Sequence, residues 1–278
     1  MNVLDFTGAV FAISALAGFL GALTGLGGGV VVVPALTVLL GVDIHFAMGA
    51  SLVSVIATSS GAAAAYVKEG FSNVRIGMFL EIATTLGAVA GAHLTAVVPA
   101  AGLAFIFGLV LLYSAWHSLN EMHEGAAAQT DPSAEKLKLN GTYPSPQGLI
   151  RYHAQRVKAG FSLMFGAGLL SGLLGIGSGA MKVIAMDQIM RIPFKVSTTT
   201  SNFMIGVTAA ASAGIYLSRG YIEPRLAMPV MLGVLGGSLA GARLLMGAKT
   251  KALRRVFAGV IGVLAFEMIY NGLHGGPK

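Results

Sequence analysis

The sequence predicts an all-α polytopic membrane protein. It reads as two inverted-topology repeats, each with one glycine-broken (re-entrant or half-helix) element plus three transmembrane helices. Three observations lead there. First, the 278 residues are 55% hydrophobic and 10% charged, with a mean hydropathy of +0.78, whereas soluble domains carry roughly 25% charged residues. A chain so apolar needs a lipid bilayer around it. Second, Gly25-Leu26-Gly27-Gly28-Gly29 returns 150 residues later as Gly175-Ile176-Gly177-Ser178-Gly179. The same spacing pairs Gly18 with Gly168, Ser51 with Ser201, Tyr66 with Tyr216 and Arg75 with Arg225, and Ala90-Gly91-Ala92 with Ala240-Gly241-Ala242. Third, lysine and arginine fall into two very unequal groups only if the halves are inverted.

A membrane span needs about 20 mostly apolar residues, and the chain supplies them in order. The first runs from Phe6 to Leu23. Met1–Asp5 lacks the basic region of a secretory signal, so this segment is expected to stay as a span. After the glycine break comes a short apolar piece, Val30–Leu40, then a turn at Gly41-Val42-Asp43. Long runs follow from His45 to Tyr66 and from Ile76 to Val98, separated by a loop at Lys68-Glu69-Gly70. Pro99 opens the next helix, which reaches Leu119. Residues 120–158 form a polar linker marked by the turn signals Asp131-Pro132, Asn140-Gly141 and Pro144-Ser145-Pro146, with a short amphipathic helix expected at Ile150–Val157. The second repeat, 159–278, restates the order as Ala159–Leu174, a break, Ala180–Met190, Val196–Leu217, Leu226–Met246 and Leu253–Asn271. The first repeat is 1–119.

Orientation follows from charge, because cytoplasmic loops collect lysine and arginine. If each repeat crossed four times, ten basic residues would stand against seven. If each break turns the chain back, Arg219, Arg225 and Lys278 stand against fourteen, with Lys182, inside an apolar run, left out. The fourteen-to-three split assigns the linker to the cytoplasm. The net charge of +7 is therefore a topology signal, and no nucleic-acid partner is expected.

Non-helical backbone at membrane depth survives only where it is buried in protein or lines a cavity. Two breaks at corresponding positions thus mark a binding site at the repeat interface, where helix N-termini favour an anion. The candidate substrate-binding residues are Gly27, Gly28, Gly29, Ser51, Gly177, Ser178, Gly179, Lys182, Thr200, Ser201 and Asn202. The hydroxyls and the amide suit hydrogen bonding to oxyanion oxygens. Lys182, matched by Val32 in the first half, would tune binding by charge; its bland alternatives are snorkelling or pairing with Asp187. Asp187 also stands four residues before Arg191, a spacing for a helical ion pair. Glu81 is read as reaching the interface rather than carrying protons. Gly87-x-x-x-Gly91 and Gly237-x-x-x-Gly241 read as helix-packing faces, and Tyr113 and Trp116 as interfacial anchors. Gly175-x-Gly177-x-x-Ala180 lacks the strand that a dinucleotide fingerprint requires. With no Gly-x-x-x-x-Gly-Lys-[Ser/Thr] loop, no nucleotide or other cofactor is expected. A coupling proton or cation, or the substrate's own gradient, would drive transport.

These motifs resemble the TauE/SafE family of sulfite exporters and sulfonate permeases. The resemblance rests on Gly25–Gly29, Pro34 and Gly49-Ala50-Ser51-Leu52, then on Gly175–Gly179 and Thr200-Ser201-Asn202-Phe203. Ala50 stands where family members often carry threonine. The resemblance implies a secondary transporter of sulfite, sulfonate or a related small organic anion in the plasma membrane, without catalytic residues. The rivals are an anion channel and an intramembrane enzyme built on Ser178 or a histidine. Against the enzyme, Ile176 occupies the first glycine position of a rhomboid-like motif.

Overall fold

The computed structural model describes residues 2–24, 28–68, 72–119, 131–145, 148–177, 179–245 and 250–274. The first half gives α1 (Val3–Thr24), α2 (Gly29–Leu40), α3 (Ile44–Lys68), α4 (Val74–Leu94) and α5 (Ala100–Leu119). A short α6 (Pro132–Lys136) and a hairpin of β1 (Gly141–Ser145) and β2 (Gly148–Tyr152) follow. The second half gives α7 (Val157–Leu174) and α8 (Gly179–Ile184), whose end widens into a π-helical turn at Ala185–Ile189. Then come α9 (Phe194–Ser218), α10 (Pro224–Leu245) and α11 (Thr250–His274).

Local chemistry sets the ends. Gly41 closes α2 in the left-handed conformation (φ 63°), its N–H donating to Leu36 O; glycine takes this conformation without steric cost. The Asn73 side chain caps α4 by accepting from the Ile76 N–H. Among the described residues, Val74–Leu94 and Val157–Leu174 are long and apolar enough to cross a bilayer, and shorter apolar helices run through α1, α2, α3, α5, α10 and α11. Outward faces are apolar as well. Met78, Ile82 and Leu86 line one side of α4 at 57–62% exposure, while Ile76, Leu80 and Ala83 on the other side are buried. A helix apolar all round belongs in a core or a membrane.

The packing of the two halves is reciprocal. α1 lies on α10 as α4 lies on α7, and α3 meets α10 as α9 meets α4. The contacts repeat residue by residue. A Cβ on Gly87 would strike Phe165 O and Leu169 N, and one on Gly237 would strike Ala15 O and Phe19 N. Likewise Gly168 rests on Thr84, and Gly18 on Val234. Small residues here let backbones touch. α3 and α9, which correspond at the 150-residue spacing, cross in opposite directions. Met48 Sδ lies 3.9 Å from the Tyr216 hydroxyl, and farther along α3, Ser59 meets Gly206, earlier on α9.

The expected helix at Ile150–Val157 is not there. β2 occupies Gly148–Tyr152 and α7 starts at Val157. The reason is local: Gly148 adopts φ 116° and turns the chain so that Tyr143 pairs with Ile150 and Thr142 with Arg151. This linker segment is also docked. Ala134, Leu139, Tyr152 and Ala154 are buried in one apolar cluster with Ile76, Leu80, Met186 and Met190. Asn73 Nδ2 donates to the Tyr152 hydroxyl at 2.6 Å, and Asp131 accepts from the Ser133 and Val157 N–H groups at 2.7 and 3.1 Å.

Candidate functional site

The second break is built from two left-handed glycines. Gly175 (φ 67°) ends α7, its N–H donating to Ser171 O, and Gly177 (φ 71°) follows two residues on. Non-glycine residues pay roughly 1–2 kcal/mol for that conformation. The chain then reverses, and the Met190 carbonyl accepts from the Gln155 N–H at 2.9 Å. The α7–break–α8 element therefore ends beside the residue that precedes it. In the first break, Gly28 is right-handed (φ −63°). Its Cα is crowded by Val234 Cγ1, 2.6 Å from where a Cβ would stand. Gly27 and Ser178 lie outside the described residues.

Each break is tied to the next long helix by one hydroxyl. Ser51 Oγ on α3 donates to Gly29 O at 3.4 Å, and Ser201 Oγ on α9 donates to Gly179 O at 3.2 Å. The two bonds correspond at the 150-residue spacing, and both serines are buried. The breaks also meet each other. A Cβ on Gly29 would stand 2.7 Å from Val55 Cγ2 and 3.6 Å from Ile176 O; one on Gly177 would stand 2.8 Å from Ile205 Cγ2 and 3.1 Å from Val55 Cγ1. Val55 and Ile205, themselves equivalent, flank the junction.

The other predicted residues separate around it. Thr200 turns away: its Oγ1 accepts from the Asn73 N–H at 3.0 Å, and its methyl packs towards Gly77. Asn202 is half-buried and lies one helical turn before Gly206, whose face meets α3. Because a hydroxyl has one proton to give, Ser51 and Ser201 spend theirs on the glycine carbonyls.

Lys182 is fully buried and does not snorkel. Its Nζ donates to Thr208 Oγ1 and stands 3.8 Å from Glu81 Oε2. Thr208 in turn donates to Glu81 Oε1 at 2.6 Å, with Met204 O as its second acceptor at 3.0 Å. Thr85 Oγ1 also donates to Glu81 Oε1, at 3.2 Å. Glu81 is 8% exposed, which corrects its assignment to the interface: α4 turns it inward against α8 and α9, where a buried ammonium supplies the counter-charge. The sequence signal for it was a single acid within an apolar helix. Thr208 gave none, since threonines in membrane helices commonly bond their own backbone.

The sulfite exporter TauE/SafE family matches residues 10–268 of the chain. Among similar proteins, the probable membrane transporter protein YunE of Bacillus subtilis (strain 168) is 28% identical over 93% of this chain and 95% of its own length. The probable membrane transporter protein YdhB of the same strain is 28% identical over 84% of this chain and 86% of its own. A probable membrane transporter protein of Xylella fastidiosa (strain 9a5c) is 26% identical over 92% of both. No solved structure gives a significant match.

Proposed function

This chain belongs to the TauE/SafE family, and on that premise we propose that it is a secondary transporter of a small oxyanion in the plasma membrane. Sulfite, a sulfonate or a related sulfur-containing organic anion is the substrate class. The names carried by its relatives as probable membrane transporters support the first half of that reading. The observation that carries the site is the meeting of the two glycine breaks between Val55 and Ile205.

Broken elements facing one another at a repeat interface are where secondary transporters bind substrate. The antiparallel crossing of α3 and α9 supports inverted repeats, and the return of the chain from α8 to Gln155 supports a re-entrant element. The seat would be formed by Gly28, Gly29, Gly177 and Gly179 with Ser51, Ser201 and Asn202, completed by Gly27 and Ser178. Thr200 would hold the start of α9 against Asn73. With the serine protons committed to carbonyls, an anion would draw its hydrogen bonds from backbone N–H groups, the Asn202 amide and Lys182.

The test is calorimetric binding of sulfite, thiosulfate, ethanesulfonate and small carboxylates to the purified protein, beside flux in reconstituted vesicles. We expect one sulfur oxyanion or sulfonate to bind and its flux to saturate. Flux that rises linearly with concentration would identify a channel. Ser51→Ala and Ser201→Ala should each lower the melting temperature by a similar amount, about 1 kcal/mol of stability for one hydrogen bond, and weaken binding only through the loosened break.

A further inference from the structure

The anion seat uses Lys182 but leaves its partners Glu81 and Thr208 without a role, and the fold contains its own comparison for the cluster. At the 150-residue spacing, Lys182 corresponds to Val32, Thr208 to Thr58 and Glu81 to Met231. Val32 is fully buried, and Thr58 bonds Ser54 O as Thr208 bonds Met204 O. The symmetry-related positions, Val32 and Thr58 of the first half and Met231 of the second, thus carry no charge. Replacing a buried ion pair by apolar residues is often neutral for stability, so the fold does not account for the pair.

The pair is also incompletely satisfied. Glu81 Oε2 is buried without a hydrogen-bond partner, and Lys182 Nζ stands 3.8 Å away, beyond hydrogen-bond length. The surroundings are sparse in charge. On its own helix, Arg75 lies six residues away, about 9 Å along the axis. Of the elements packed around Glu81, α7 contributes Lys158, exposed at its first turn, and the π-helical turn contributes Asp187. α9 contributes Lys195 at its start and Tyr216 and Arg219 at its far end. Lys182 is the charge that faces the carboxylate within 4 Å.

We propose that Glu81 is the binding site of a coupling proton, and that Lys182 is shared between Glu81 and the transported anion. Lys182 sits three residues beyond Gly179, so its flexible stem can serve either group. With no anion bound, the Glu81 carboxylate pairs with the ammonium, as in this structure. When an oxyanion at the break takes the ammonium, the buried carboxylate loses its counter-charge. It then accepts one proton from the water-facing side, the charged form being disfavoured in an apolar site. The anion and one proton are carried together, and the ion pair re-forms when both leave. A metal cation is a poor occupant, because it would face the ammonium. The absence of charges at Val32 and Met231 allows one such proton per chain.

This inference rests on the transport reading, and two measurements separate their failures. Ethanesulfonate is the flux probe, because it stays ionised and carries no proton itself. In vesicles with a clamped potential and a trapped pH dye, the wild-type protein should move protons inward with ethanesulfonate. In Glu81→Gln the proton-to-sulfonate ratio should fall to background; a ratio equal to wild type overturns the proposal. Infrared spectra of purified Lys182→Met at neutral pH, with no substrate present, should show a carboxylic-acid C=O band that the wild type lacks and that adding Glu81→Gln removes. Failure to carry ethanesulfonate with that band present counts against the substrate class and for the proton site, whereas absence of the band overturns the site. The double variant Glu81→Met/Lys182→Val, which copies the symmetry-related Met231 and Val32, should fold with a near-native melting temperature. If it and Glu81→Gln both fail to fold, the pair is structural and the proposal falls.

Discussion

Gly177 is the residue on which the geometry of the second break bears most directly. Its φ of 71° costs a side-chain-bearing residue roughly 1–2 kcal/mol. The added methyl would also stand 2.8 Å from Ile205 Cγ2, and overpacking of this kind adds about 1–3 kcal/mol. Gly177→Ala should therefore lower the melting temperature clearly, and distort the seat enough to weaken anion binding about tenfold or more, since each 1.4 kcal/mol is tenfold. Ile205→Ala opens space beside that methyl but leaves the backbone strain. In a double-mutant cycle the pair should accordingly be less destabilised than the sum of its single variants, without returning to wild type. Strict additivity would mean that the methyl finds room elsewhere, and that the Val55–Ile205 junction is looser than described.

At the scale of elements, helices and breaks were readable because apolar runs were punctuated by glycine and proline, and their observed ends fall within a few residues of the expected ones. Partnerships between elements were less readable: helices apolar on every face leave no periodic stripe to mark the inward side. Glu81 was misassigned for that reason, as its counter-charge on α8 is distant in sequence. The serine-to-carbonyl ties were hidden too, since a hydroxyl's acceptor depends on tertiary approach. In the linker the expected turn signals fall elsewhere, since Asp131-Pro132 opens α6 and Gly141, Pro144 and Ser145 lie in β1; five-residue strands containing Pro144 carry little strand signature. Its docking gives a test with a definite sign. The backbone N–H groups of Val157 and Ser133 hold the Asp131 carboxyl below the ordinary carboxylate range. A depressed carboxylate contributes stability that is present above its unfolded pKa and is lost as pH falls through the folded value. Limited proteolysis within 131–156 should thus be flat through neutral and mildly acidic pH and rise only in stronger acid. Asp131→Ala should be cleaved faster at neutral pH and lose that acid step. Equal cleavage of the two at neutral pH would show that the apolar cluster around Tyr152 holds the linker unaided.

At the scale of the molecule, basic residues lie at both ends of the helix bundle. Arg75 donates to Lys138 O at 3.2 Å, and Gln155 bonds Met190, so the basic residues near 75, 138, 156 and 191 share one end. Arg219 reaches the other end of α4, donating to Ala92 O at 2.7 Å and His93 O at 3.2 Å. Positive residues favour the cytoplasmic side, so the first end should face the cytoplasm, and the Arg219–Arg225 loop and both termini the exterior. The chain contains no cysteine, which makes the measurement clean: single cysteines at the exposed Val74, His153 and Ser218 supply the only thiols. A membrane-impermeant maleimide applied to intact cells should label the cysteine at 218 and spare those at 74 and 153, and permeabilised cells should label all three. Labelling of 74 and 218 from the same side would rule out inversion and return both halves to one orientation. The two breaks would then have to meet by some relation other than an in-plane two-fold axis.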